Sequence, residues 1–164
     1  MEWKEELQQH TKEAEKVVQG YLPEETGHQK LLIEASNYSV LVGGKRLRPM
    51  IMLESFKAFG GTGNVVEPFM AALEMIHSGS LVHDDLPCMD NDEYRRGNLT
   101  TWKKYGYDMA VLAGDKLFIY AFEIAAKAFA LTDRADLVGK AISILANKAG
   151  IYGMIGGQSV DVEY

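Results

Sequence analysis

The stretch that decides how this chain is read is Ile76–Gly97, IHSGSLVHDDLPCMDNDEYRRG. Its first part continues an apolar helical pattern that begins near residue 65, and its second part carries Asp84, Asp85, Asp90 and Asp92, followed by the pair Arg95 and Arg96. At ~100° per residue, Leu73, His77, Leu81 and Asp84 share one stripe of that helix. His77 and Asp84 are therefore expected on a face that looks into the protein rather than into water. Pro87 has no amide proton, and its ring clashes with the carbonyl of His83, so a helix over 65–86 should bend or end there. In an unbroken helix Asp90 is turned ~120° from Asp84, and a bend at Pro87 can bring it back.

Outward from this stretch the pattern stays helical. Trp3, Leu7, His10, Ala14, Val17 and Tyr21 recur at helical spacing, closed by Gly20 and Pro23. Leu31, Leu32, Ala35, Tyr38 and Val42 repeat the pattern up to Gly43-Gly44. Pro49 suits the first turn of a third helix, which runs to Gly60-Gly61. Asn64 is suited to cap the helix that follows. A polar connector is expected from Asn91 to Gly106, and two or three further helices over 108–164. No stretch alternates with period two for long enough to predict a strand. The class is all-α, an antiparallel helix bundle, and residues 1–164 read as one domain.

Composition sets limits on function. The chain has 164 residues, 47% of them apolar, with a net charge of −6, which argues against general nucleic-acid affinity. The single cysteine, Cys88, excludes an internal disulfide and is compatible with a reducing cytoplasm. The charged start, MEWKEELQQH, is not a signal peptide, and no apolar window reaches the ~18 residues of a membrane span.

The charged residues point to anion and cation chemistry. Carboxylates gathered in one pocket repel each other unless a cation joins them. Magnesium takes oxygen ligands and shares them between one or two carboxylates and substrate phosphates. No cysteines and histidines have zinc spacing, and no calcium loop with its sixth-position glycine is present. Lys45, Arg46 and Arg48 form one basic cluster, and Arg95 and Arg96 another. Arginine's planar fork suits phosphate oxygens and lysine adds a point charge, so two anionic sites are expected. Gly43-Gly44-Lys45 lacks Walker-loop spacing, which leaves nucleotide binding a weak alternative. Taken singly, His77 reads as a hydrogen-bonded core residue, the aspartates as a solvated helix end and the basic residues as surface charge. It is their combination that departs from those readings.

Several motifs then occur in order: Gly43-Gly44-Lys45-Arg46-Leu47-Arg48-Pro49, the His77 region, Asp84-Asp85-Leu86-Pro87-Cys88-Met89-Asp90 with Arg95-Arg96-Gly97, Leu112-Ala113-Gly114-Asp115, and Gly157-Gln158 with Asp161. In these the chain resembles the trans-isoprenyl diphosphate synthase family, the farnesyl and geranylgeranyl diphosphate synthases. The two extra residues before Asp90 resemble bacterial forms. The resemblance implies the isoprenoid synthase type of bundle and condensation of isopentenyl diphosphate with an allylic diphosphate. It implies that Asp84, Asp85 and Asp90 hold Mg2+. Lys45, Arg48, His77 and Arg96 would bind the isopentenyl diphosphate. Arg95 and Gln158, and less surely Asp161, would face the allylic one. Gly79 and Ser80, at the positions that bear on product length, are small, and either farnesyl or geranylgeranyl remains open. Close helix packing is an equal reading of Gly79. Met52 and Met75 are further residues that could floor a product tunnel.

The chain also departs from the family pattern. Asn98-Leu99-Thr100 and Lys116 are unusual, and no second aspartate-rich motif follows. The expectation is the N-terminal half of an enzyme, a cytoplasmic prenyltransferase that forms a homodimer, with weak or absent turnover by these residues alone. A non-catalytic diphosphate-binding subunit and a terpene cyclase fragment are the alternatives.

Overall fold

The computed structural model describes residues 3–164. It is a helix bundle in which α4 (Glu67–Asp84) and α6 (Tyr107–Ala126) form the central pair. Around them lie α1 (Trp3–Gly20), α2 (Lys30–Leu41), α3 (Leu47–Ala58) and the short α5 (Thr101–Tyr105). A 3-10 turn (Lys127–Leu131) leads to α7 (Ala135–Ala149) and α8 (Met154–Glu163).

The central pair is close because its contact is made of small residues. Ala71, Ala72 and Gly79 on α4 and Ala110, Ala113, Gly114 and Ala121 on α6 are all buried. A Cβ on Gly79 would sit 3.1 Å from the Leu117 Cβ and 3.2 Å from the Gly114 carbonyl oxygen. At interior packing density a single added methyl is felt. Met75, Leu117 and Ile124 belong to the same core cluster.

Three expectations change. Trp3 and Leu7 are 68% and 43% exposed. Only the later turns of α1 are buried, where Ala14 packs in a cluster with Met50 and Met70. The fourth helix begins at Glu67 rather than 65, and its cap position is Val66; Asn64 gives its backbone carbonyl, not its side chain, to the Glu67 amide at 3.0 Å. The connector is also more ordered than its polarity suggests. It holds two paired strands, β1 (Tyr94–Arg95) and β2 (Asn98–Leu99), with Arg96 at φ 53° and Gly97 at φ 80° between them. Two consecutive left-handed residues make the turn whose twist suits a two-residue hairpin. Two residues per strand is too short to leave a period-two signal.

The end of α4 follows the proline argument. The His83 carbonyl accepts from Leu86 at 3.2 Å, since Pro87 cannot donate to it. The chain then recoils, and the Asp90 amide donates to the Asp84 carbonyl at 2.8 Å.

α7 and α8 sit at the margin of the bundle. Val138 is buried on α7, and no residue of α8 is. Ile144, Ile151, Tyr152 and Val162 are more than half exposed. Among the described residues no helix is long and apolar enough to cross a membrane.

Candidate active site at the end of α4

The expected stripe of α4 is real but lies at a rim. Leu73, His77, Leu81 and Asp84 are half-buried, whereas the core face is carried by Met75, Ile76, Gly79 and Val82. The reason is that α6 covers the neighbouring face. The rim position leaves His77 and Asp84 within reach of charged partners from other elements.

The acidic side is built from the recoil after α4, the hairpin and α8. Asp85 is buried and accepts from Arg95, Nε at 2.7 Å and Nη2 at 2.6 Å. The same guanidinium lies 3.7 Å from Asp92. Asp84 accepts from the Gln158 amide at 3.0 Å, a contact that brings α8 back to α4 across 74 positions of sequence. Burial, and then the charges of Asp90, Asp161 and Asp92, push the Asp84 carboxyl above its ordinary range against the opposing pull of Arg95. Burial likewise raises Asp85, and its bonds to Arg95 oppose that.

Among the described residues no three carboxylate, imidazole or thiolate groups converge as a closed metal-ligand set. The donors nevertheless fit a divalent cation that completes its shell with phosphate oxygens. Asp84 offers carboxylate oxygens of the type such a cation takes, and the charges of Asp90, Asp161 and Asp92 bear on it, with Arg95 opposing them.

The basic side is a cleft of about 190 Å³ lined by Lys45, Arg46, Leu47, Arg48, Glu74, His77 and Arg96. Arg48 Nη1 lies 3.3 Å from His77 Nε2. Arginine only donates, so Nε2 accepts and the neutral ring carries its proton on Nδ1. Burial, then the charge of Arg48, lowers the His77 pKa and favours that neutral form. The hairpin turn sends Arg96 toward this cleft, where Nη1 donates to the Gly43 carbonyl. A Cβ on Gly44 would lie 2.5 Å from that guanidinium, so Gly44 leaves room for Arg96 as placed.

The hairpin therefore separates two adjacent arginines. Arg95, in β1, goes to the acidic side and Arg96, in the turn, to the basic side. The side chains read from the sequence fall into these two sites, with three qualifications. Asp90 is exposed, though its backbone is tied to Asp84. Gly79 is taken up by the contact with α6, and the Ser80 hydroxyl donates to the His77 carbonyl at 2.8 Å. Neither lines the basic cleft.

The third qualification concerns Arg46. Grouped by sequence with Lys45 and Arg48, it is instead turned inward and only 3% exposed, paired with Glu15 and Glu74. Spacing does not distinguish it from its neighbours. The available signal was Glu74, a lone acid inside an apolar helical run, which needs a buried cation.

The site thus joins an all-α bundle, a carboxylate mouth and a neighbouring basic cleft. Comparison with known sequences supplies the family: residues 29–164 match the polyprenyl synthetase family, and the chain belongs to it. It is 49% identical over 129 residues to the chloroplastic geranylgeranyl pyrophosphate synthase of Catharanthus roseus, covering 79% of this chain and 36% of that protein. It is 40% identical over 157 residues to the farnesyl diphosphate synthase of Geobacillus stearothermophilus, covering 96% of this chain and 52% of the relative. The fold superposes on an apo FPP/GFPP synthase from Zymomonas mobilis with a TM-score of 0.90 at 35% identity, over 98% of this chain and 57% of that one. The chain thus spans from about a third to about half of the length of these curated relatives.

Proposed function

We propose that this chain is the N-terminal part of a short-chain trans-prenyltransferase that condenses isopentenyl diphosphate with an allylic diphosphate to give farnesyl or geranylgeranyl diphosphate. The observation that carries the reading is the hairpin that turns Arg95 to Asp85 and Arg96 to the adjoining basic cleft, side by side along α4. Such a reaction needs two diphosphates held apart and oriented, one of which leaves.

In this reading Lys45, Arg48, His77 and Arg96 hold the isopentenyl diphosphate in the basic cleft. Neutral His77 contributes a donor at Nδ1 and adds no charge. Arg95 and Gln158 face the allylic diphosphate, with Asp161 nearby. Magnesium, held by Asp84, Asp85 and Asp90 together with the substrate phosphates, would supply Lewis-acid neutralisation of the departing diphosphate. Arg95 stabilises negative charge as the allylic carbon–oxygen bond breaks. The double bond of isopentenyl diphosphate then attacks the allylic cation, and a proton is lost to the departing diphosphate. Apolar walls of α4 keep out the water that would quench the cation. The resemblance ties product length to Gly79 and Ser80; Gly79 is packed against α6, which leaves Ser80 to bear on the two alternatives. A cytoplasmic location, read from the charged start and the single cysteine, and pairing into a homodimer, read from the family resemblance, belong to the same reading.

The test is an assay of allylic substrate consumption with magnesium, using this chain with and without a complementary chain that supplies the remainder of a relative. We expect little or no turnover alone and activity on mixing. Failure to bind any diphosphate, with or without magnesium, would end the proposal.

A further inference from the structure

We propose that Arg46 is the positioning residue of the basic cleft: fixed by Glu15 and Glu74, it holds the loop that presents Lys45 and Arg48. The inference rests on the reading of that cleft as a diphosphate site. Arg46 lies between Lys45 and Arg48, both exposed, yet its own side chain is buried. Its guanidinium is held from three helices. Nη1 donates to Glu74 on α4 at 2.7 Å, Nη2 to Glu15 on α1 at 3.1 Å and to the Val40 carbonyl on α2 at 2.5 Å, and Nε donates to Glu15 as well. Four of its five N–H donors are engaged, leaving one Nη1 hydrogen.

The backbone shows what those bonds achieve. Arg46 has φ 48°, left-handed in a non-glycine residue, at the position just before α3. Such a conformation persists when surrounding bonds over-determine it. Lys45 and Arg48, on either side of it, line one cleft with His77, which lies one turn along α4 from Glu74. Glu15 belongs to α1, outside the residues matched to the family, so a segment apart from the matched region helps hold the loop.

Charge makes the proposal separable from a local electrostatic effect. Two carboxylates on one guanidinium leave the cluster net negative. If Glu15 and Glu74 acted only as nearby charge, neutralising either would strengthen anion binding. If they act by fixing Arg46, neutralising either loosens the loop and weakens binding.

The experiment is calorimetric titration of inorganic pyrophosphate without divalent metal, well below each variant's melting transition, where reduced global stability alone leaves affinity unchanged. Wild type, Glu15→Gln, Glu74→Gln and Arg46→Lys are compared, with helix content checked by circular dichroism. We expect folded variants whose affinity falls roughly tenfold, the scale of a lost charge-assisted contact. Glu15→Gln is the cleanest arm, because Glu15 does not line the cleft. Unchanged or strengthened binding in Glu15→Gln and Glu74→Gln overturns the positioning role while leaving the cleft reading intact. Absence of binding by wild type overturns the cleft reading and this inference with it.

Discussion

The acidic mouth and the basic cleft both border the C-terminal half of α4, and they are stabilised by opposite means. In the basic cleft Arg46, Glu15 and Glu74 satisfy one another below the surface, and Lys45, Arg48 and Arg96 are left to face outward. In the mouth, like charges are left facing one another: Asp84 feels Asp90, Asp161 and Asp92, with Arg95 the opposing cation. The first site is assembled before any ligand arrives. In the proposed function a cation and a phosphate complete the second. Desolvated charge is tolerated when it is paired, and a protein can leave the pairing to itself or to its ligand.

The widest separation of the two sites is expected from Asp84→Ala. It should lower magnesium-dependent turnover, measured with the complementary chain present, by ~100-fold or more, the scale of a lost metal-site carboxylate. Metal-free pyrophosphate binding should be retained, since that belongs to the basic cleft. If both are lost together, the two sites are one. Gly114→Ala should come next. Its Cβ would meet His83 Nε2 at 2.2 Å, displacing the imidazole from the Val111 carbonyl, which it contacts at 3.1 Å. The expected loss is about 2 kcal/mol of stability, read by chemical denaturation.

Arg48→Ala should do the reverse of Asp84→Ala. It is expected to weaken metal-free pyrophosphate binding roughly tenfold, with little effect on melting because the side chain is exposed. The smallest effect, and a control on both sites, is Lys116→Met. Among the described residues the Lys116 Nζ is buried without a hydrogen-bond partner, and burial lowers its pKa from 10.5 to about 8. The Tyr120 ring, 4.4 Å from Nζ, offsets part of this cost. Replacement should stabilise by ~1 kcal/mol near neutral pH. The sign with pH follows from linkage. Between about 8 and 10.5 the unfolded lysine holds more proton than the folded one, so wild-type stability rises through that window and the gap to the variant narrows. A gap that widens toward alkaline pH would show that Lys116 is paired after all.

Much of this was legible in the order of residues. The helical periods, the stop at Pro87 and the charged residues around it follow from local rules, because period, proline geometry and residue type act over a few positions. Asp84, Asp85, Arg95 and the basic loop could be singled out on that ground. The hairpin was not legible, since two residues per strand leave no alternation. The cap at Asn64 failed because the helix begins later and its first turn is held by backbone alone.

By itself, then, the sequence determined the all-α class, the place where α4 ends and which residues carry charge there, since each is a matter of local backbone geometry or side-chain chemistry. Tertiary structure alone decided that Arg95 and Arg96 part company, that Gln158 returns to Asp84, and that Arg46 turns inward. Each depends on a partner distant in the chain. A charged side chain's direction is set by whichever desolvated opposite charge the packing brings within reach.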